Sequence, residues 1–438
     1  MQEMSESGAD RSANPTRKLF LVLGVVVGVL LVCGVASLWL RNYFADQAVK
    51  AELAKAKAAG MLTTLEDVKK FIGPAPEESE NAAPFYRRMT ELSQTLKFGN
   101  MEDIWSNLFA SPTSKTMVDA KQLINDNSEL ITLAEQAVER EFCFFDHDWS
   151  RGHSITFPHV APAKLVSRLL LIRSLIAYSE GRKLDAMTDI RRVRAISRHI
   201  AQDRVPITTL VSSSISILAI RTVAHLAGQE GPNSIWLNEL EAIGNDIDAP
   251  TYRDVVALDL YFDLVLFEAV KSKDKRADII GFKEDEKPEP QYNLIAATIS
   301  AQEGERLMIS GRLQVWNAFD NQDSINWQEV RQGLAKVTQG YLSDPYLIMI
   351  AQGLSLGEID YIRTPRERFL EYKLLIKAAL RVLRQKDRRQ IPDLSDLGSP
   401  TNGQNVTGEI ADGKVILTVE NSSTSSDSLS QLQFRIAK

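Results

Sequence analysis

Cysteine and histidine are scarce in this chain of 438 residues, which holds two of the former and five of the latter. Two cysteines exclude a disulfide framework and any cysteine-rich zinc module. There is no excess of positive charge either. Lys+Arg number 51 against 57 Asp+Glu, a net −6, so the chain has no general electrostatic pull toward nucleic acid. No HExxH or His-x-His spacing occurs, and no segment repeats at a fixed period. Long uncharged apolar runs are absent but for one. What remains is ordinary globular composition, 44% hydrophobic and 25% charged, which argues against wholesale disorder. The length allows roughly two or three domains.

The one apolar run is Leu19–Leu40, flanked by Arg17 and Lys18 before it and Arg41 after it. About 22 residues at a rise of ~1.5 Å span roughly 33 Å, enough for the hydrocarbon core of a bilayer. A secretory signal would have a shorter apolar region and a small-x-small cleavage site. Val35-Ala36-Ser37 offers such a site, but the run continues through Leu38-Trp39-Leu40, so an uncleaved anchor is the reading. The flanking cations are nearly balanced. The short tail with its abutting basic pair places the tail inside and the bulk of the chain outside. Gly24 and Gly28 form a GxxxG inside the span, the spacing that lets two membrane helices pack closely and suggests a homodimer.

The expected organisation is a mainly α fold. A disordered cytoplasmic tail covers residues 1–16, a transmembrane helix 17–41 and a helical stalk 42–60. A helical domain of TPR-like hairpins follows at 61–274, then a charged linker or loop at 275–291. A second helical region at 292–398 packs on the first, and a small β segment occupies 399–438. Local signals mark the joints. Thr64 and Asp67 make a capping-box pattern, and the helical pattern breaks near Asn125-Asp126-Asn127. Phe142–Pro162 reads as an irregular, partly extended crossover between helical layers. The clearest hairpin is Ala163–Glu180 with Lys183–Gln202. There Gly181, Ala186 and Ile190 match tetratricopeptide spacing, in which a small residue permits close helix packing. Alternation over Thr407–Val419 around Asp412-Gly413 predicts a β-hairpin, and Gln431–Ile436 a further strand.

Four stretches together carry a family resemblance. They are Glu80–Tyr86, Phe145–Trp149 leading to Pro158-His159, the hairpin around Gly181–Ala186, and Ala379-Leu380-Arg381 followed by Ile391–Leu394. In these the chain resembles a family of uncharacterised bacterial signal-anchor proteins with a mostly helical extracytoplasmic domain. Their long final helix, Pro-Leu turn and small β segment are faintly similar to pseudopilin ends. Gly398-Ser399-Pro400 departs from the usual ending. The resemblance implies single-pass residence in the cell inner membrane with the bulk of the chain periplasmic. It brings no activity.

Motifs for chemistry are few. Gly353–Gly357 fits GxSxG, but every histidine precedes Ser355 and no βαβ pattern surrounds it, so a turn is the better reading. Gly408–Lys414 imitates a phosphate loop, yet Val415 stands where a magnesium-binding hydroxyl belongs. Asn405-Val406-Thr407 and Asn421-Ser422-Ser423 are glycosylation sequons, which matter only in a eukaryotic secretory setting. Arg191, Arg192, Arg194, Arg198 and Arg204 make a basic helix whose plain reading is a solvated face paired with acids. His199, near a helix end, is expected to interact with the helix dipole. The densest metal-ligand group is Asp146, His147, Asp148, His153 and His159, imidazoles and carboxylates that together suit zinc or iron. A loop cluster must fold to converge, so these stand as candidates only.

No catalytic residue and no cofactor are expected. The function this predicts is a membrane-anchored helical binding or scaffold protein at the bacterial cell envelope. Its partners would be the lipid bilayer through residues 19–40 and a protein, with no nucleic acid. The alternatives are an envelope enzyme, metal-dependent through Asp146–His159, and a secretion or pilus accessory protein.

Overall fold

A computed structural model describes residues 15–95, 100–110, 112–230, 232–246, 251–271, 299–319, 332, 356–385, 390–397, 405–411, 414–420 and 431–435. Outside the described residues lie the tail up to residue 14, the linker 275–291, most of Trp327–Gln339, Tyr346–Gln352, Ser355 of the GxSxG match, the Asp412-Gly413 turn and the second sequon. The described protein is mainly α-helical, with one small three-stranded antiparallel sheet near the C-terminus.

Helix α1, Pro15–Ala58, is unbroken. Its most apolar stretch has a mean hydropathy of 2.6 and none of that stretch is buried. Length and composition suffice for it to cross a membrane. Beyond Arg41 its character changes. Val49 and Ala56 are buried, and Gly60, at φ 84°, ends the helix in a backbone conformation that favours glycine.

Helix α2, Leu65–Ile72, begins with the full capping box. The Thr64 hydroxyl accepts from Asp67 N, and the Asp67 carboxylate accepts from Thr64 N. Helices α3 (Ala83–Ser93), α4 (Met101–Ala110), α5 (Ser114–Asp126) and α6 (Ser128–Val138) follow. The break between α5 and α6 sits at Asn127, whose side chain donates to Leu123 O and competes with the helical ladder.

Helices α7 (Val160–Ser179), α8 (Lys183–Ala201) and α9 (Pro206–Gln229) pack in succession, with α10 (Ile235–Asp246) laid on α9. Gly181 turns α7 into α8 at φ 81°. A Cβ there would meet nothing within 4 Å, so the turn needs glycine for its backbone angle and not for close packing. Helix α9 is also apolar enough to span a membrane, with mean hydropathy 1.5, but 61% of its apolar stretch is buried within the fold, so it serves as a core helix.

Helices α11 (Tyr252–Val256), α12 (Asp259–Lys271), α13 (Ile299–Ala318) and α14 (Leu356–Leu383) complete the helical set among the described residues. Helix α14 packs on α9 and α10, while α13 packs on α1 and α12. Strands β1 (Asn405–Ala411), β2 (Lys414–Glu420) and β3 (Gln431–Arg435) lie in that order. Asn405 pairs with Glu420 and Val415 with Phe434. The Gly408–Lys414 imitation of a phosphate loop falls within this pairing, so its described backbone is strand and opens no helix.

Among the described residues, three apolar clusters result. The largest joins α3–α10, α14 and the inner face of the sheet, where Val415, Leu417, Leu432 and Phe434 are buried. Trp236, Tyr86 and Tyr372 are fully buried within it or at its edge; such side chains contribute about 1.5–3 kcal/mol each. A second cluster clamps Val49, Ala56 and Met61 between α11, α12 and α13. A third gathers Val68, Trp149, Val205, Leu258, Tyr261 and Phe262 beneath the crossover.

Candidate metal centre

The crossover between α6 and α7 is irregular, and its first residues are tied to neighbouring elements. The Asn81 amide donates to Phe144 O at 3.0 Å and its carbonyl accepts from Phe144 N at 2.9 Å. Ala82 N donates to Phe142 O, and Cys143 N to the Gln202 side chain at 2.7 Å. These ties fix an irregular segment against the start of α3 and the end of α8. A 3-10 segment, Trp149–Ser154, follows. Within it Gly152 adopts φ 53°, ψ −128°, and its Cα faces Val265 so closely that a Cβ would stand 2.9 Å from that side chain.

The five sequence candidates divide. His147 and His159 converge, and the third member of their group is Asp203, just past the end of α8. His147 Nε2 lies 3.3 Å from Asp203 Oδ1, and His159 Nε2 lies 2.8 Å from Asp203 Oδ2. The donor atoms all fall within 4.8 Å of one another. All three side chains are nearly closed to solvent, at 9%, 2% and 4% exposure. His153 points elsewhere. Its half-exposed ring meets Asp263 Oδ1 at 2.8 Å, and Arg312 Nε holds the other oxygen at 2.7 Å. Asp148 is exposed and caps its own turn through Ser150 N, and Asp146 is exposed at the rim.

Ring contacts hold the converged imidazoles. Phe145 stacks on His159 with centroids 3.7 Å apart, while Trp149 and Phe157 place their edges on His147. Burial alone pushes the Asp203 carboxyl up, and the two imidazoles outweigh it, holding the group below its ordinary range. The contact between His159 and Asp203 is short but poorly aligned. Both His159 ring nitrogens and Asp203 Oδ2 are buried with no properly directed hydrogen bond.

Asp203 escapes a reading of the crossover because it belongs to another element. One signal marks it: an acid at a helix C-terminus, where the dipole favours a cation. Its neighbour Arg204 has φ 56°, the only positive φ at a non-glycine among the described residues. Strain of order 1 kcal/mol at such a position is offset locally. The Arg204 guanidinium donates to Phe71 O and stands over the Phe71 ring.

A cleft of roughly 450 Å³ opens beside the site, bordered by Arg87, Glu91, Phe145, Asp146, His147 and His159. Another, of roughly 490 Å³, lies between α4, α9 and β3, where Trp105, Phe109, Arg221 and His225 meet Gln433 and Arg435. His199 is not a dipole partner but a neutral core group. Its Nε2 donates to Arg140 O at 3.0 Å, so Nδ1 accepts from the Tyr86 hydroxyl at 3.2 Å, and burial pushes its pKa down. The basic helix is extensively paired. Arg191 meets Glu239, Arg192 meets Asp189 and Glu135, and Arg194 and Arg198 meet Asp246. Gly24 and Gly28 lie on α1 with open space where a Cβ would stand. The chain matches no family of known proteins, no curated protein and no solved structure.

Proposed function

We propose that this protein is a single-pass inner-membrane protein of the bacterial envelope that presents a TPR-like helical domain for binding a protein partner. One observation carries the reading: α1 is one continuous helix whose apolar half is exposed and whose polar half enters the second apolar cluster. Exposing that many apolar side chains to water is unfavourable by about 25 cal/mol per Å², which a bilayer removes. Leu19, Phe20, Leu30 and Leu31 are each more than half exposed. The stacked helices and their open clefts support a binding role. The basic pair abutting the span favours the periplasmic side for the domain, and Gly24 with Gly28 supports a homodimer.

Fractionation tests this. The full chain should stay in the membrane through alkaline carbonate extraction, and a chain lacking residues 1–40 should be soluble. Protease added to spheroplasts should then cleave the domain. Full-length protein released by carbonate counts against the anchor, and a domain protected in spheroplasts but cleaved after lysis reverses its orientation. A second reading, an envelope enzyme, is favoured by the convergence of His147, His159 and Asp203 beside a cleft. Hydrolytic turnover abolished by Asp203→Asn in a folded protein would bring it ahead of the first.

A further inference from the structure

We infer that His147, His159 and Asp203 bind one divalent first-row transition ion of the zinc class. The inference requires neither the membrane anchor nor catalysis. Two imidazoles and a carboxylate are the borderline donors that such ions prefer. Donor atoms each about 2.1 Å from one ion stand roughly 3–3.5 Å apart. The contacts of 3.3 Å and 2.8 Å to the two Asp203 oxygens are close to that already.

The unused hydrogen-bonding capacity points to an occupant. His159 is 1% exposed, stacked flat on Phe145, and neither ring nitrogen has an aligned partner. Asp203 Oδ2 faces it in the same condition. A buried donor or acceptor left unmade costs about 1–3 kcal/mol, more when charged. His159 Nε2 and Asp203 Oδ2 face each other in that condition at 2.8 Å, and an ion coordinated by both, beside the pair, satisfies them together. Asp203 also has no Lys or Arg ion pair among the described residues, only the two imidazoles. A divalent ion supplies the compensating charge that a buried carboxylate needs.

The scaffold holds the donors where a metal requires them. Asn81 and Gln202 tie the segment that leads to His147. Arg204, at φ 56°, turns the chain immediately after Asp203, which itself lies two residues beyond the last residue of α8. The cleft borders both imidazoles, which gives the ion a route in and leaves a coordination position for water.

The test uses the full chain, purified in detergent without a histidine tag and stripped with chelator. Zinc titration should reach about one equivalent per chain. Cobalt in its place should give visible d–d bands of low-symmetry coordination, without sulfur charge transfer. Asp203→Asn and His159→Gln should each weaken zinc binding at least tenfold. His153→Gln should leave it unchanged, because His153 belongs to the Asp263 pair. X-ray absorption at the zinc edge of the unmutated protein should show two imidazole ligands, a readout that needs no variant to fold. Less than a tenth of an equivalent of zinc and cobalt in the unmutated chain overturns the proposal. So does zinc bound with fewer than two imidazoles, or undiminished binding in a folded Asp203→Asn protein.

Discussion

His225 shows how one side chain sets a response to pH. It lies on α9 and is 8% exposed, its ring 4.6 Å from that of Phe109. Burial first, and then the charge of Arg435, push its pKa down to about 4. In the unfolded chain the ordinary value is about 6.5. The unfolded state therefore binds the extra proton between pH 6.5 and 4, and stability falls as the solution is acidified through that window. The full shift corresponds to about 3 kcal/mol. His199, lowered by burial, acts in the same direction. His153 is raised: burial lowers it, but the Asp263 hydrogen bond and charge outweigh that. It therefore adds stability at low pH that is lost as pH rises through its folded value. The first effect should dominate because burial and the charge of Arg435 act on His225 in the same direction. Denaturant midpoints measured from pH 7 to pH 4.5 should fall in the natural protein and fall less in His225→Phe, which keeps the ring. Equal slopes in the two proteins would remove His225 from the account.

Among the described elements, α9 and β3 approach closely at one glycine. A Cβ on Gly228 would stand 2.0 Å from the Arg435 carbonyl oxygen, so helix and strand meet backbone to backbone. Gly228→Ala should cost about 3 kcal/mol, the upper range for forced overpacking, since a carbonyl cannot rotate aside as a side chain can. Hydrogen exchange should show the sheet amides of β2 and β3 losing protection before those of α7 and α8. Unchanged protection would mean that the sheet does not depend on this contact. Elements of this kind are partly legible in the sequence. The capping box at Thr64 and Asp67, the break at Asn127, the turn at Gly181 and the β1–β2 alternation are all local, set by residues within a few positions of one another. The metal-type group was half legible. His147 and His159 share one crossover, but Asp203 comes from the far end of the next hairpin, a relation that no spacing rule encodes. The setting of His199 is hidden from the sequence for the same reason. Its partners Tyr86 and Arg140 are distant in sequence, and they, not the helix end, decide its tautomer.

On the scale of the whole molecule, α1 belongs to two environments. Its final turns form part of the second cluster with Met308, Ile309 and Trp316, and the Trp316 indole donates to Ala59 O at 2.9 Å. A chain starting at Arg41 should keep the unfolding midpoint of the full protein. One starting at Met61 loses Val49 and Ala56 from that cluster and should be less stable by several kcal/mol, read as a lower denaturant midpoint or a separate early transition. Identical midpoints would mean that these turns only lean on the domain. A helix that is unbroken from the apolar stretch into the core also transmits angle. Each residue of an α-helix turns the chain by about 100° and advances it by about 1.5 Å. The number of residues between Arg41 and Val49 therefore sets the compass bearing of the crossover cleft about the axis of α1, and one residue more or less there would swing that cleft to a different side while scarcely changing its height.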